Sequence, residues 1–251
     1  MEIWILSLAA LVAGFIDAVA GGGGVITFPA FILLGLPVAE IVGTNKLVST
    51  AGTTIAAYTF FRKGHVQAEV ARNALPFTFL GALLGAATIL LLPNDFLKPI
   101  VSILIIAVAI YCHIRPQIGI NHAYQALTTR SRRLLQLAAI AIGFYDGFFG
   151  PGTGIFLTFF FVGVLHCDFL RATANTKVLN WTSNIVSLGY FLSQGNIRFD
   201  LGLPMLLANI VGGYLGAHTA ISRGSSFIKW IYLLMAVLTG AKLLVDMLSA
   251  P

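Results

Sequence analysis

The sequence predicts an all-α, polytopic membrane protein: an inverted repeat of two five-segment halves with glycine-broken helices. Three observations carry that reading. Of 251 residues, 58% are hydrophobic and 10% charged, against roughly 25% charged in a soluble domain, and a soluble fold could not hide so much apolar surface. Apolar runs close to the roughly 20 residues that cross a bilayer recur along the chain. The second half also repeats the first: Gly14-Phe15-Ile16-Asp17 aligns with Gly143-Phe144-Tyr145-Asp146, and each Asp is followed by a glycine-rich break.

Apolar runs between turn signals place helices at 3–20, 25–36, 47–61, 74–92 and 96–113 in the first half. The second half repeats the pattern at 134–149, 155–165, 178–192, 201–221 and 227–248. The most hydrophilic stretch lies between them, which divides the chain into a first repeat (1–114), a cytoplasmic linker (115–133) and a second repeat (134–251). Downstream of the breaks the register between halves becomes 131 residues, pairing Thr44-Asn45-Lys46 with Asn175-Thr176-Lys177, Gly81 with Gly212, and Gly85 with Gly216. The N-terminal run has Glu2 in place of a basic region and no cleavage motif, so it is read as spanning sequence and not as a signal peptide.

The net charge of +6 is scattered over short connections with no basic face or aromatic platform, which argues against nucleic acid as a partner. With the linker inside and each segment reversing direction, 11 of the 15 basic residues fall on the cytoplasmic side, as positive-inside orientation requires. Lys177 is counted inside and Lys46 outside. Both termini are then non-cytoplasmic, and the two halves are oppositely oriented. Each glycine-broken pair fits either two crossings or one re-entrant hairpin.

The breaks Gly21-Gly22-Gly23-Gly24 and Gly150-Pro151-Gly152-Thr153-Gly154 are poor helix, since each glycine costs about 1 kcal/mol relative to Ala. Unwound backbone at membrane depth persists only where protein or a wet cavity satisfies it. A helix restarting there presents its positive dipole end and unshielded amides, a natural seat for an anion. Close helix crossing through small residues is the alternative role.

Thr44, Asn45, Lys46, Asn175, Thr176 and Lys177, each group at an expected helix start, could neutralise and hydrogen-bond an oxyanion; a lysine near a helix end could equally snorkel to the headgroups. Asn180, Ser183 and Asn184 continue a polar face from Lys177, echoed by Ser49, Gly52 and Thr53. Asp17 and Asp146 lie inside apolar segments, where carboxylates mark functional sites. Burial disfavours their charged form, which makes them candidate proton carriers; a structural role, accepting amide hydrogen bonds from the adjacent break, is the other reading.

Two cysteines, Cys112 and Cys167, give no disulfide framework or metal spacing and read as buried thiols. The five histidines lack metal-ligand spacing; His218 is the one expected to face the interior. No phosphate-binding loop, catalytic carboxylate pair or nucleophile motif occurs, so no enzyme activity, metal or cofactor is expected.

Taken together, the glycine breaks, the Thr44-Asn45-Lys46 triplet and its mate resemble the sulfite exporter TauE/SafE family of membrane transporters, in its YfcA-like branch. The resemblance runs from Gly14 to about Leu244 and leaves out the linker. It implies a bacterial inner-membrane permease that moves sulfite or an organosulfur anion such as a sulfonate. It also places the family's glycine-rich motifs at 21–24 and 150–154 and its second-motif lysines at Lys46 and Lys177. The expectation is thus a secondary transporter working by alternating access, an exporter by its resemblance, whose partners are a small anion, membrane lipid and a proton or other coupling ion. A sensor or assembly factor and a passive anion channel stay open as alternatives, and no oligomeric state is read from the sequence.

Overall fold

The computed structural model describes residues 2–92 and 126–249. Its described residues form eight helices: α1 (Glu2–Ala20), α2 (Gly23–Ile32), α3 (Val38–Arg62), α4 (Ala68–Leu90), α5 (Thr129–Phe148), α6 (Thr153–Gly163), α7 (Phe169–Ser193) and α8 (Phe199–Ser249). The chain is an all-helical, multi-pass membrane protein. Three stretches are long and apolar enough to cross a bilayer, Ile3–Ala20, Ala68–Leu90 and Phe199–Tyr232. The expected helix at 96–113, with Cys112, and most of the linker lie outside the described residues.

Both glycine clusters interrupt the helix. α1 stops at Ala20 and α2 starts at Gly23; α5 stops at Phe148 and α6 starts at Thr153. At 10 and 11 residues, α2 and α6 rise only about 15 Å at 1.5 Å per residue, half the hydrocarbon thickness. They fold back along the helices they follow. Gly23 packs on Ala13 and Asp17, and Phe28 and Phe31 of α2 share a buried apolar cluster with Leu6 and Ala10 from the start of α1. Each pair is therefore a helical hairpin. A second apolar cluster joins Leu135 and Ala139 of α5 to Leu157, Phe161 and Val162 of α6. The polar residues of the two halves sit between these clusters.

Small residues set the helix packing. A Cβ on Gly81 or Gly85 of α4 would strike the Ile140 or Phe144 carbonyl of α5, and one on Gly212 or Gly216 of α8 would strike that of Leu11 or Phe15 of α1. These four glycines form two Gly-x-x-x-Gly pairs at repeat-related positions, and the close backbone approach they permit is the usual adhesive between helices in lipid. The starts of α5 and α7 are capped by side chains: Thr128 Oγ1 accepts from Ser131 N at 3.1 Å, and Asp168 Oδ1 from Arg171 N at 2.9 Å.

Several boundaries differ from the sequence reading. α3 and α7 begin at Val38 and Phe169, nine residues before the apolar runs at 47 and 178. Thr44-Asn45-Lys46 and Asn175-Thr176-Lys177 therefore lie inside helices and not at their starts. Both lysines are buried, at 1% and 0% exposure, so neither snorkels and neither belongs to a side of the membrane. α5 begins at Thr129, within the stretch assigned to the linker. The expected gap at 222–226 is present inside α8, where two helical stretches meet at a kink at the non-helical Gly224 (φ 71°, ψ −169°). His218 is exposed and bonds the Tyr214 carbonyl at 3.0 Å, because its position on α8 faces away from the Gly212 and Gly216 contact.

Candidate functional site

The hairpin tips meet. Gly21, at φ +73°, lies so close to Gly154 that a Cβ on either would overlap the other's backbone. Glycine is required here twice over, by the left-handed conformation and by the contact. Gly150 and Gly152 are also left-handed, at φ +102° and +82°, which turns the chain from α5 into α6.

Around these tips each half's lysine pairs with the other half's aspartate. Lys46 Nζ of α3 lies 2.8 Å from Asp146 Oδ1 of α5, and Lys177 Nζ of α7 lies 2.8 Å from Asp17 Oδ2 of α1. The expected free positive charge is therefore absent: two ammonium and two carboxylate groups sum to zero. The amide contact anticipated for the aspartates is minor, a 3.4 Å approach of Gly23 N to Asp17 Oδ1.

Asp146 is the more fully engaged of the two. Its Oδ1 also accepts from Thr153 Oγ1 at 3.0 Å, and its Oδ2 accepts from Asn180 Nδ2 at 2.9 Å and from Ser183 Oγ. Asn184 Oδ1 takes a further Lys46 hydrogen bond at 3.0 Å, while its amide reaches Thr53 Oγ1 at 3.5 Å. The polar face read along α7 is thus buried against both glycine breaks, and its hydrogen bonding is interhelical.

Other anticipated residues hold the frame. Thr44 Oγ1 accepts from Arg198 N, beyond the end of α7, and its mate Asn175 Oδ1 accepts from Gln67 N, beyond the end of α3, both at 2.9 Å. The start of each long helix thus lies beside the end of the other, so α3 and α7 run antiparallel. Thr27 Oγ1 donates to Asn45 Oδ1 at 2.6 Å, and the mates Thr158 and Thr176 bond at 3.0 Å, which ties each hairpin to its own half's long helix. Sequence reasoning missed Thr27, Thr158, Gln67 and Tyr232, whose hydroxyl donates to Thr158 at 2.7 Å; only the repeat register could have paired the two threonines.

A cavity of about 300 Å³, including its open mouth, lies at the tips. Of the anticipated substrate-binding residues, Gly21, Gly24, Asn45, Lys46, Gly150, Gly152, Gly154, Asn180 and Asn184 line it, together with Asp17, Asp146 and Ser49. Gly22, Gly23, Thr44, Thr153, Asn175, Thr176 and Lys177 do not, the last lying behind Asp17. Among the described residues no cluster of His, Cys, Asp and Glu could hold a metal ion.

Comparison with known proteins agrees with the architecture. The family model of the sulfite exporter TauE/SafE matches residues 6–243. The chain is 38% identical over 241 residues to the probable membrane transporter protein ORF9 of Sinorhizobium sp, covering 96% of this chain and 92% of that one. It is 37% identical to a probable membrane transporter protein of Haemophilus influenzae, covering 96% and 94%, and 35% identical to the probable membrane transporter protein YfcA of Escherichia coli, covering 96% and 89%. No solved structure matches it significantly. These names are those of transporters and not of enzymes, and they agree with a helical membrane chain whose buried polar groups gather at the hairpin tips: this protein belongs to the sulfite exporter TauE/SafE family of membrane transporters.

Proposed function

We propose that the chain is a secondary transporter, an exporter in the bacterial inner membrane, that moves sulfite or a small organosulfur anion such as a sulfonate by alternating access. The observation that carries this reading is the crossed pairing at the hairpin tips, Lys46 with Asp146 and Lys177 with Asp17. A site shared between two repeats, built on interrupted helices, is the arrangement that lets one repeat rock against the other around a fixed centre. The antiparallel run of the mates α3 and α7 supports an inverted relation between the halves, with both termini on the non-cytoplasmic face.

The chemistry of the cavity supports a small oxyanion. Sulfite and sulfonate oxygens are strong acceptors, and the lining supplies donors: Lys46, the amides of Asn180 and Asn184, the Ser49 hydroxyl and glycine backbone. Two short helices begin at the same point, α2 with Gly24 and α6 with Gly154 on the wall, adding their dipoles to the attraction.

The test is flux. Purified protein in liposomes is expected to take up labelled sulfite or methanesulfonate saturably, with faster entry when the same anion is preloaded inside. Binding without entry would mark a sensor, and entry without acceleration a passive channel. A thermal-shift screen of sulfite, sulfate, thiosulfate and sulfonates identifies the ligand, since saturation at about 100 times Kd stabilises the fold by about 2.7 kcal/mol.

A further inference from the structure

We infer that Asp17 carries the coupling proton and that Asp146, its repeat mate, stays a fixed carboxylate. This rests on the anion-transport reading above and assigns its co-substrate.

The two aspartates are related by the repeat but not by their surroundings. Asp146 accepts from four side chains, Lys46, Thr153, Asn180 and Ser183, with its side chain 2% exposed. Those four partners occupy both of its oxygens. Two of those donors are themselves tied to the backbone, Thr153 Oγ1 to the Gly150 carbonyl at 2.7 Å and Ser183 Oγ to that of Asn180 at 3.0 Å, so Asp146 sits in a fully bonded frame. Asp17 has one strong partner, Lys177, and the long approach of Gly23 N; its side chain is 20% exposed and lines the cavity. Its Oδ1 has only the 3.4 Å approach of Gly23 N, and its side chain opens on the cavity.

The difference is written into the sequence and does not depend on the conformation. The repeat mates of Asn180 and Ser183 are Ser49 and Gly52, and Thr153 falls on a glycine of the first break in either register. Of these only Ser49 has a side-chain donor, so no movement of the halves can surround Asp17 as Asp146 is surrounded.

The charges near Asp17 are few. Lys177 comes from α7, and Lys46 of α3 and Asp146 of α5 line the same cavity. The helices α2 and α6 carry no titratable side chain. α8 meets α1 through Gly212, Gly216 and Asn209, with His218 turned outward. With Asp17 ionised the four central charges cancel, and its carboxylate on the wall repels an anion. When Asp17 takes a proton from water at the open face, Lys177 keeps its own and the site gains one positive charge. A monovalent anion then enters, crosses with the proton as a neutral pair, and leaves as Asp17 releases the proton. Outflow runs whenever the internal excess of the anion outweighs the inward proton gradient.

By linkage, anion and proton each strengthen the other's binding. Methanesulfonate, whose charge does not change with pH, is the transported probe, with a pH-sensitive dye trapped in the liposomes. For the unsubstituted protein, uptake is expected to rise about tenfold per unit fall in pH above the titration, with proton entry beside the anion. Asp17→Asn mimics the protonated state, so uptake is expected to continue, to lose its pH dependence and to move no protons. Asp146→Asn is expected to keep whatever pH dependence its residual flux allows. An independent readout needs no flux: within the infrared absorption of protonated carboxyl groups raised by lowering pH, the band of the one buried group is expected to be missing in Asp17→Asn and present in Asp146→Asn, the exposed carboxyl groups contributing equally to both.

Wild-type pH dependence in Asp17→Asn, or a band that survives there and is lost in Asp146→Asn, overturns the assignment. If Asp17→Asn does not insert, the double variant with Lys177→Gln removes the pair as a unit and must also lack the band. No flux of methanesulfonate or sulfite from the unsubstituted protein overturns the transport reading and the coupling with it, whereas flux without the Asp17 band overturns the proton assignment alone.

Discussion

Lys46 and Lys177 are repeat mates with the same partner chemistry, yet their removal should differ. Lys46→Ala strands the carboxylate of Asp146, whose side chain is 2% exposed, and breaking such a buried pair costs about 3–5 kcal/mol. A lowered melting temperature in detergent is expected, recovered in large part by adding Asp146→Asn, since removing both charges restores neutrality. Lys177→Ala leaves Asp17 with access to water, so insertion and melting should change less while anion affinity is lost. Equal destabilisation by the two substitutions would contradict the inequality of the sites. At this scale the residues themselves were legible: an intramembrane Asp that recurs with its glycine break is conspicuous. Their pairing was not, because the partners stand 100 and 160 residues apart and only packing of the halves selects crossed pairs over pairs within a half.

Glycine plays opposite roles along single helices, which makes element-level packing testable. A Cβ on Gly85 would strike the Phe144 carbonyl across the α4–α5 contact, whereas nothing lies within 4 Å of one on Gly189 in α7. Gly189→Ala is expected to stabilise the fold by about 0.5–1 kcal/mol through helix propensity, and Gly85→Ala to destabilise it by forcing two backbones apart; thermal unfolding of both separates the effects. The breaks were readable from glycine content alone. The starts of α3 and α7 were not: Thr44-Asn45-Lys46 and its mate ended the apolar runs, and a polar triplet at membrane depth reads as a helix boundary. The helices continue because that polar face is covered by the hairpins through the Thr27 to Asn45 and Thr158 to Thr176 hydrogen bonds.

For the whole molecule, the proposed inversion of the halves says where repeat mates must surface. Lys63 and Gln194 cap α3 and α7, are exposed, and precede the left-handed turn glycines Gly64 and Gly195. With Cys112 replaced by Ser, Lys63→Cys should react with an impermeant maleimide only from the cytoplasmic side and Gln194→Cys only from the opposite side. Labelling of both from one side would end the inverted arrangement. The remaining Cys167 is 1% exposed, and burial, with Asp168 beside it, pushes its thiol up to about 12, so it stays protonated and silent.

By itself the sequence determined the class, the helix count of each hairpin, the repeat and the two breaks, because apolar length, glycine cost and duplicated spacing are local properties of a chain in lipid. Only the tertiary structure decided that the hairpin tips touch and that the lysines pair with aspartates from the other half. Those outcomes depend on which surfaces are covered: a charge in a low-dielectric interior takes whatever opposite charge packing delivers, and no feature within one half says what the other will bring.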